Sequence, residues 1–264
     1  MDATFTYKLI LSFLIGGFWV VLATILADKL GSKIGGLISG LPSTVMFGLF
    51  FLAWTQNTSI AVQSTTIIPI VGGVNCLFLA CYIYFVRKNI LKAIVSSLFL
   101  WSLISYFLVR VHFSNYPISL VGYGMLLAIS FFLVEKVFKI ASVKGKKVVY
   151  TPLLIASRAL IGGSVVALAV YLGKVGGPIL GGMFSMFPAM FISTMLVTYH
   201  SQGALFSAGT MKSSMVSGIS IVIYSIIARY TYLPFGLGLG TFVSIFISFL
   251  SGFLIYKLII TRLT

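Results

Sequence analysis

LIGGFWVVLATILADKLGSKIGGLISGLP, residues 14–42, returns as LIGGSVVALAVYLGKVGGPILGGMFSMFP at 160–188, without a gap. The offset is 146 (160 minus 14). The identities include Gly16/Gly162, Gly17/Gly163, Gly31/Gly177, Gly35/Gly181, Gly36/Gly182, Ser39/Ser185 and Pro42/Pro188. Apolar sequences match by chance through Leu, Ile and Val; they rarely do so through five glycines, a serine and a proline in register. The same offset later pairs Gln56 with Gln202 and Gly72 with Gly218. The pattern is an internal duplication, and duplication is a common route to membrane transporters.

Composition fixes the solvent. Hydrophobic residues make up 59% of the 264 residues and charged residues 8%, and mean hydropathy is +1.14. A water-soluble domain carries roughly 25% charged residues, so this chain could not cover a surface facing water. A spanning helix needs about 20 apolar residues. The sequence offers nine such stretches: 7–28, 34–55, 59–86, 89–110, 117–138, 152–173, 176–200, 204–228 and 234–258. Long apolar runs without period-2 alternation exclude a β-barrel. The fold class expected is an all-α integral membrane protein. No signal-peptide pattern precedes the first apolar run, which reads as a retained helix.

Net charge is +15, and its placement indicates topology rather than nucleic-acid binding. Counting sides by the nine spans, one side holds Lys8, Arg110, Lys174 and Arg229. The other holds Lys29, Lys33, Arg87, Lys88, Lys92, Lys136, Lys139, Lys144, Lys146, Lys147, Lys257 and Arg262. Basic residues favour the cytoplasmic face. The N-terminus is therefore expected outside and the C-terminus in the cytoplasm of a plasma (inner) membrane, with the Lys144–Lys147 loop facing anionic headgroups.

The offset pairs span 1 with 6, 2 with 7, 3 with 8 and 4 with 9, leaving span 5 between the halves. Five crossings separate the two copies, and an odd number turns one upside down. The expected plan is 4+1+4: a first repeat at 1–112, a connecting span and basic loop at 113–147, and an inverted second repeat at 148–264. Pairing span 5 with span 9 through Pro117 and Pro234 is the competing register, and it breaks the parity. Binding sites in inverted-repeat proteins lie near the midplane where the copies meet.

The candidate binding residues follow from that plan. An interior proline frees the carbonyl four residues back, and in lipid that carbonyl needs a partner or a wet cavity. Pro42 and Pro188 would free Ile38 and Phe184, next to Ser39, Ser43, Thr44 and Ser185. Pro69 reads as interior to span 3, whereas Pro117, Pro152, Pro178 and Pro234 read as lying at or near helix starts. Polar groups at depth are functional candidates by default, which adds Asn75, Arg158, Lys212 and Thr66, the repeat partner of Lys212. With Glu135 placed at a cytoplasmic span end, Lys212 has no expected counter-charge and would favour an anionic or strongly polar ligand, or a paired helix C-terminus.

Gly36-Leu37-Ile38-Ser39-Gly40-Leu41-Pro42, Gly182-Met183-Phe184-Ser185-Met186-Phe187-Pro188 and the later Lys212-Ser213-Ser214 resemble the conserved stretches of the GlpM-like small membrane proteins. The resemblance covers each four-span half but not span 5, and in the first copy the lysine position is Thr66. It implies a fused, inverted pair of such units. It also implies an association with bacterial exopolysaccharide production, without a defined transport activity.

No enzyme is expected: there is no phosphate-binding loop, carboxylate pair or Cys/His cluster. His112 and His200 are isolated, and Cys76 and Cys81 lie five apart on one helix, so no metal, cofactor or disulfide is expected. The expected function is a transporter or flippase of a small polar or anionic solute. A membrane scaffold for polysaccharide synthesis and a channel are the alternatives. The expected partners are membrane lipids and a small-molecule substrate, not nucleic acid, and a homodimer is compatible with the pattern.

Overall fold

The computed structural model describes residues 3–29, 43–140 and 151–258. Those residues are helical, with no strand among them. The helices are α1 (Ala3–Lys29), α2 (Ser43–Thr55), α3 (Thr58–Ser64), α4 (Ile68–Val86), α5 (Ile90–Arg110) and α6 (Tyr116–Phe132), the last running into a π-turn at Leu133–Val137. Then come α7 (Pro152–Ser185), α8 (Ala189–Ser217) and α9 (Ile219–Leu258). The stretches Ala3–Leu22, Ile68–Val86, Ile90–Arg110, Tyr116–Val137 and Pro152–Ile255 carry helix long and apolar enough to cross a bilayer. Large apolar side chains such as Phe99, Phe242 and Phe246 stand exposed, as they would against lipid.

Local chemistry starts these helices. Asn57, Asn89 and Asn115 each take an extended backbone and accept a hydrogen bond from the amide three residues on, at Ile60, Lys92 and Ile118. Thr151 does the same for Leu154. These caps satisfy amides that the first turn leaves unpaired.

The second half achieves its breaks differently. Helices α7, α8 and α9 are interrupted at Gly177 (φ 82°, ψ −177°), Gly203 (φ 83°, ψ 179°) and Gly236 (φ 72°, ψ 174°). That region of backbone space is essentially open only to glycine. Subtracting 146 carries Gly203 onto Asn57, the cap between α2 and α3, and Gly236 onto Ile90, the first residue of α5. The start of α8 at Ala189 likewise falls on Ser43, the start of α2. The interruptions at Gly203 and Gly236 thus recur in both halves, at asparagine caps in one and at glycines in the other, whereas the break between α3 and α4 and the break at Gly218 have no counterpart.

Several expected spans are therefore not single rods. Span 3 is split between α3 and α4, so Pro69 opens a helix rather than interrupting one. Span 7 is split at Met186–Pro188, and span 8 at Gly218. Pro234 lies two residues before the Gly236 break, near the start of the helix that follows it. Helix α2 is described over 13 residues, Ser43–Thr55, and the part of span 2 before it lies outside the described residues. Apolar content located α5 and α6 to within a residue or so, but it did not reveal the breaks inside spans 3, 7 and 8.

The repeated glycines form a close helix crossing. A Cβ on Gly16 would lie 2.9 Å from Val166 Cγ2, and one on Gly162 would lie 2.6 Å from Val20 Cγ2. A Cβ on Gly17 would meet the Ala159 carbonyl at 2.9 Å, and one on Gly163 the Phe13 carbonyl at 2.5 Å. Each contact converts into its partner by adding 146 to one residue and subtracting it from the other. Reciprocity of this kind is the signature of a two-fold relation. The direction is fixed at the ends: Lys174 Nζ sits 3.7 Å from the Phe5 ring centroid. Residue 5 beside 174, 16 beside 166 and 20 beside 162 make α1 and the 152–176 part of α7 antiparallel.

Candidate functional site

A second pair of repeat-related helices meets beside α6. In α4, Gly72 approaches Val222 (a Cβ would lie 3.0 Å from Cγ2), and Tyr82 Oη lies 2.7 Å from Ser207 Oγ. Numbers rising along α4 face numbers falling along α8 and α9, so this pair is also antiparallel. Gly72 and Gly218, repeat partners, both line a small cavity at the crossing. Its volume is about 20 Å³, enough for one water-sized group. Asn75, Cys76 and Tyr123 line it from α4 and α6, Ser214 from α8, and Met186 from the break that ends α7.

The polar geometry centres on Asn75, which is 6% exposed. Its Nδ2 donates to the Met186 carbonyl at 2.9 Å. Because a carbonyl only accepts, the amide orientation is settled. Asn75 Oδ1 then has no hydrogen-bond partner among the described residues, and neither does the hydroxyl of Tyr123, which is 9% exposed. Buried polar groups are ordinarily satisfied. Two orphans lining one cavity, beside the frayed carbonyl end of a helix, mark a place built for something polar. Ser214 donates to Thr210 at 3.0 Å and retains lone pairs. No charged side chain lines the cavity.

The Pro188 break works differently from the expectation. The Phe184 carbonyl accepts from the Phe187 amide at 3.1 Å, so it is satisfied locally. The carbonyl that reaches the other repeat is that of Met186. The α7 segment before it is threaded tightly through the first half. A Cβ on Gly182 would strike the Ser64 carbonyl, and one on Gly48 would strike Ser185 Cβ at 2.7 Å. Ser185 is buried and spends its hydroxyl on Gly182 O at 2.6 Å, so its role here is close packing.

Other expected residues lie elsewhere. Ser39 and Pro42 fall outside the described residues. Ser43 and Thr44 open α2, half-buried. Arg158 is 5% exposed and donates to Thr194 Oγ1 at 3.3 Å. Lys212 is 3% exposed and, against expectation, is paired. Its ammonium lies 2.5 Å from Glu135 Oε2 and donates to the Ile140 carbonyl at 2.9 Å. Glu135 sits in the π-turn at the end of α6, a turn that apolar counting cannot foresee. Lys212 therefore ties α8 to α6, and it does not line the cavity.

Thr66 accepts from Arg229 Nη1 at 3.1 Å, together with Thr65 Oγ1 at 3.1 Å and the Val62 carbonyl at 3.2 Å. The guanidinium also sits 4.2 Å from the Tyr116 ring centroid. Arg229 thus places positive charge at the C-terminus of α3, where the helix dipole favours it. In the sequence Arg229 stood out only as a topology marker, and Tyr123 did not stand out. A tyrosine deep within a span, rather than at its end, was the available signal for the latter.

Residues 9–114 match the model of a family described as a protein of unknown function (DUF3147). No curated protein and no solved structure matches the chain.

Proposed function

We propose that this chain is an integral membrane transporter of a small polar solute, working by alternating access between two inverted four-span repeats joined through α6. The observation that carries the proposal is the reciprocal, antiparallel packing of Gly16-Gly17 against Gly162-Gly163. Two units that share a shape but face opposite ways can exchange conformations, and the exchange turns an outward-open cavity into an inward-open one. The cavity beside Asn75 adds support, since it lies at the second crossing of repeat-related helices. In this reading the basic-residue bias places the C-terminus in the cytoplasm.

The test is flux in proteoliposomes containing the purified chain, with Cys76 as an internal reporter. Cys76 is buried at the cavity and Cys81 is half-buried. In a Cys81→Ala background, the expected result is solute-dependent labelling of Cys76 by an impermeant thiol reagent from both sides of the membrane. Labelling from one side only under all conditions, with no flux of any polar solute, would overturn the transport reading.

A further inference from the structure

We propose that the cavity at Asn75 and Tyr123 is a hydroxyl-binding site, and that the solute carried is uncharged and hydroxyl-bearing, of the polyol or sugar class. The substrate class, and the widening that admits more than one hydroxyl, rest on the transport reading above; the pair of unpartnered groups does not.

The donor and acceptor census makes the case. Asn75 Oδ1 is an acceptor in need of a donor, and its orientation is fixed by the bond from Nδ2 to Met186 O. Tyr123 Oη–H is a donor in need of an acceptor. Both residues are more than nine-tenths buried and line the same space. A single group that donates to one and accepts from the other satisfies both, and a hydroxyl does so through one oxygen. An anion would face the Asn75 carbonyl oxygen and the carbonyl end of the α7 segment, both negative. A cation would find no carboxylate and would leave the tyrosine proton unpaired. A volume of about 20 Å³ admits one such group; on the transport reading, the rest of the solute enters as the repeats move. Ser214 Oγ, already donating to Thr210, can accept from a second hydroxyl.

The experiment measures thermal stability of the purified full chain in detergent, titrated with erythritol and glucose, and with sodium phosphate and choline chloride as charged controls. The expected result is a saturable rise with the neutral solutes at millimolar concentration. Asn75→Leu should weaken the apparent affinity about tenfold, and Tyr123→Phe about three- to tenfold, as loss of one buried hydrogen bond predicts. Tyr123→Phe keeps the ring and guards against loss of folding. A shift with phosphate or choline instead, or no saturable shift with any neutral solute, would overturn the proposal and leave the cavity a site for water alone. Saturable binding without flux would sink the transport reading but keep the site. Flux of another solute, unaffected by either substitution, would do the reverse.

Discussion

Adding one methyl group at Gly16 should destabilise the protein, and removing methyls at Val166 should undo the damage. The new Cβ of Gly16→Ala would stand 2.9 Å from Val166 Cγ2, well inside van der Waals contact. Valine is stiff at χ1 and cannot swing away cheaply. Overpacking of this kind costs about 1–3 kcal/mol. By the reciprocal relation, Gly162→Ala should cost about as much, with its clash at Val20 Cγ2. Val166→Ala should recover most of the loss in Gly16→Ala, a coupling of about 1–2 kcal/mol, whereas Val20→Ala should not. The partners should exchange for Gly162→Ala. Gly163→Ala is different, because its Cβ meets the Phe13 carbonyl oxygen at 2.5 Å. No side-chain truncation relieves a clash with backbone, so this variant should be the worst of the set and rescued by neither alanine. The assay is unfolding of the purified chain in mixed micelles, titrated with denaturing detergent and followed by loss of helicity. Rescue of Gly16→Ala by Val20→Ala as effectively as by Val166→Ala would refute the antiparallel crossing, as would a Gly163→Ala variant no worse than Gly16→Ala.

Glu135→Gln should cost about 3 kcal/mol, because it strands a lysine whose side chain is 4% exposed. Adding Lys212→Met should restore stability to within about 1 kcal/mol of the parent, read by the same titration. Arg229→Met should cost about 1.5–3 kcal/mol through lost charged hydrogen bonds to the end of α3. Arg229→Lys should recover only part of that, because an ammonium cannot reproduce the guanidinium's reach to three acceptors and its stacking on Tyr116; equal stability of the two variants would count against the contact. Gly203→Ala should lose about 1–3 kcal/mol from backbone strain alone, since nothing lies within 4 Å of its added Cβ. Asn57→Ala, at the matching break, should lose about 1 kcal/mol as a lost helix cap, and a thermal melt of each variant separates the two mechanisms.

The sequence by itself determined the solvent, the helical class and the duplication. Charge scarcity leaves lipid as the only environment the surface suits, and glycines in register betray a repeat that apolar residues would hide. Asn75 was legible as a candidate because an amide so deep in a span is costly without a purpose. The tertiary structure decided the rest. Where the helices of the second half break depends on single backbone angles at Gly177, Gly203 and Gly236, which hydropathy does not register. Whether Lys212 stands alone or paired depends on a π-turn that brings Glu135 to it. Which polar atoms remain unpartnered is a property of neighbours more than a hundred residues away, such as Met186 for Asn75. Composition records what a chain can dissolve in, but contacts between distant residues exist only once the helices have chosen their crossings.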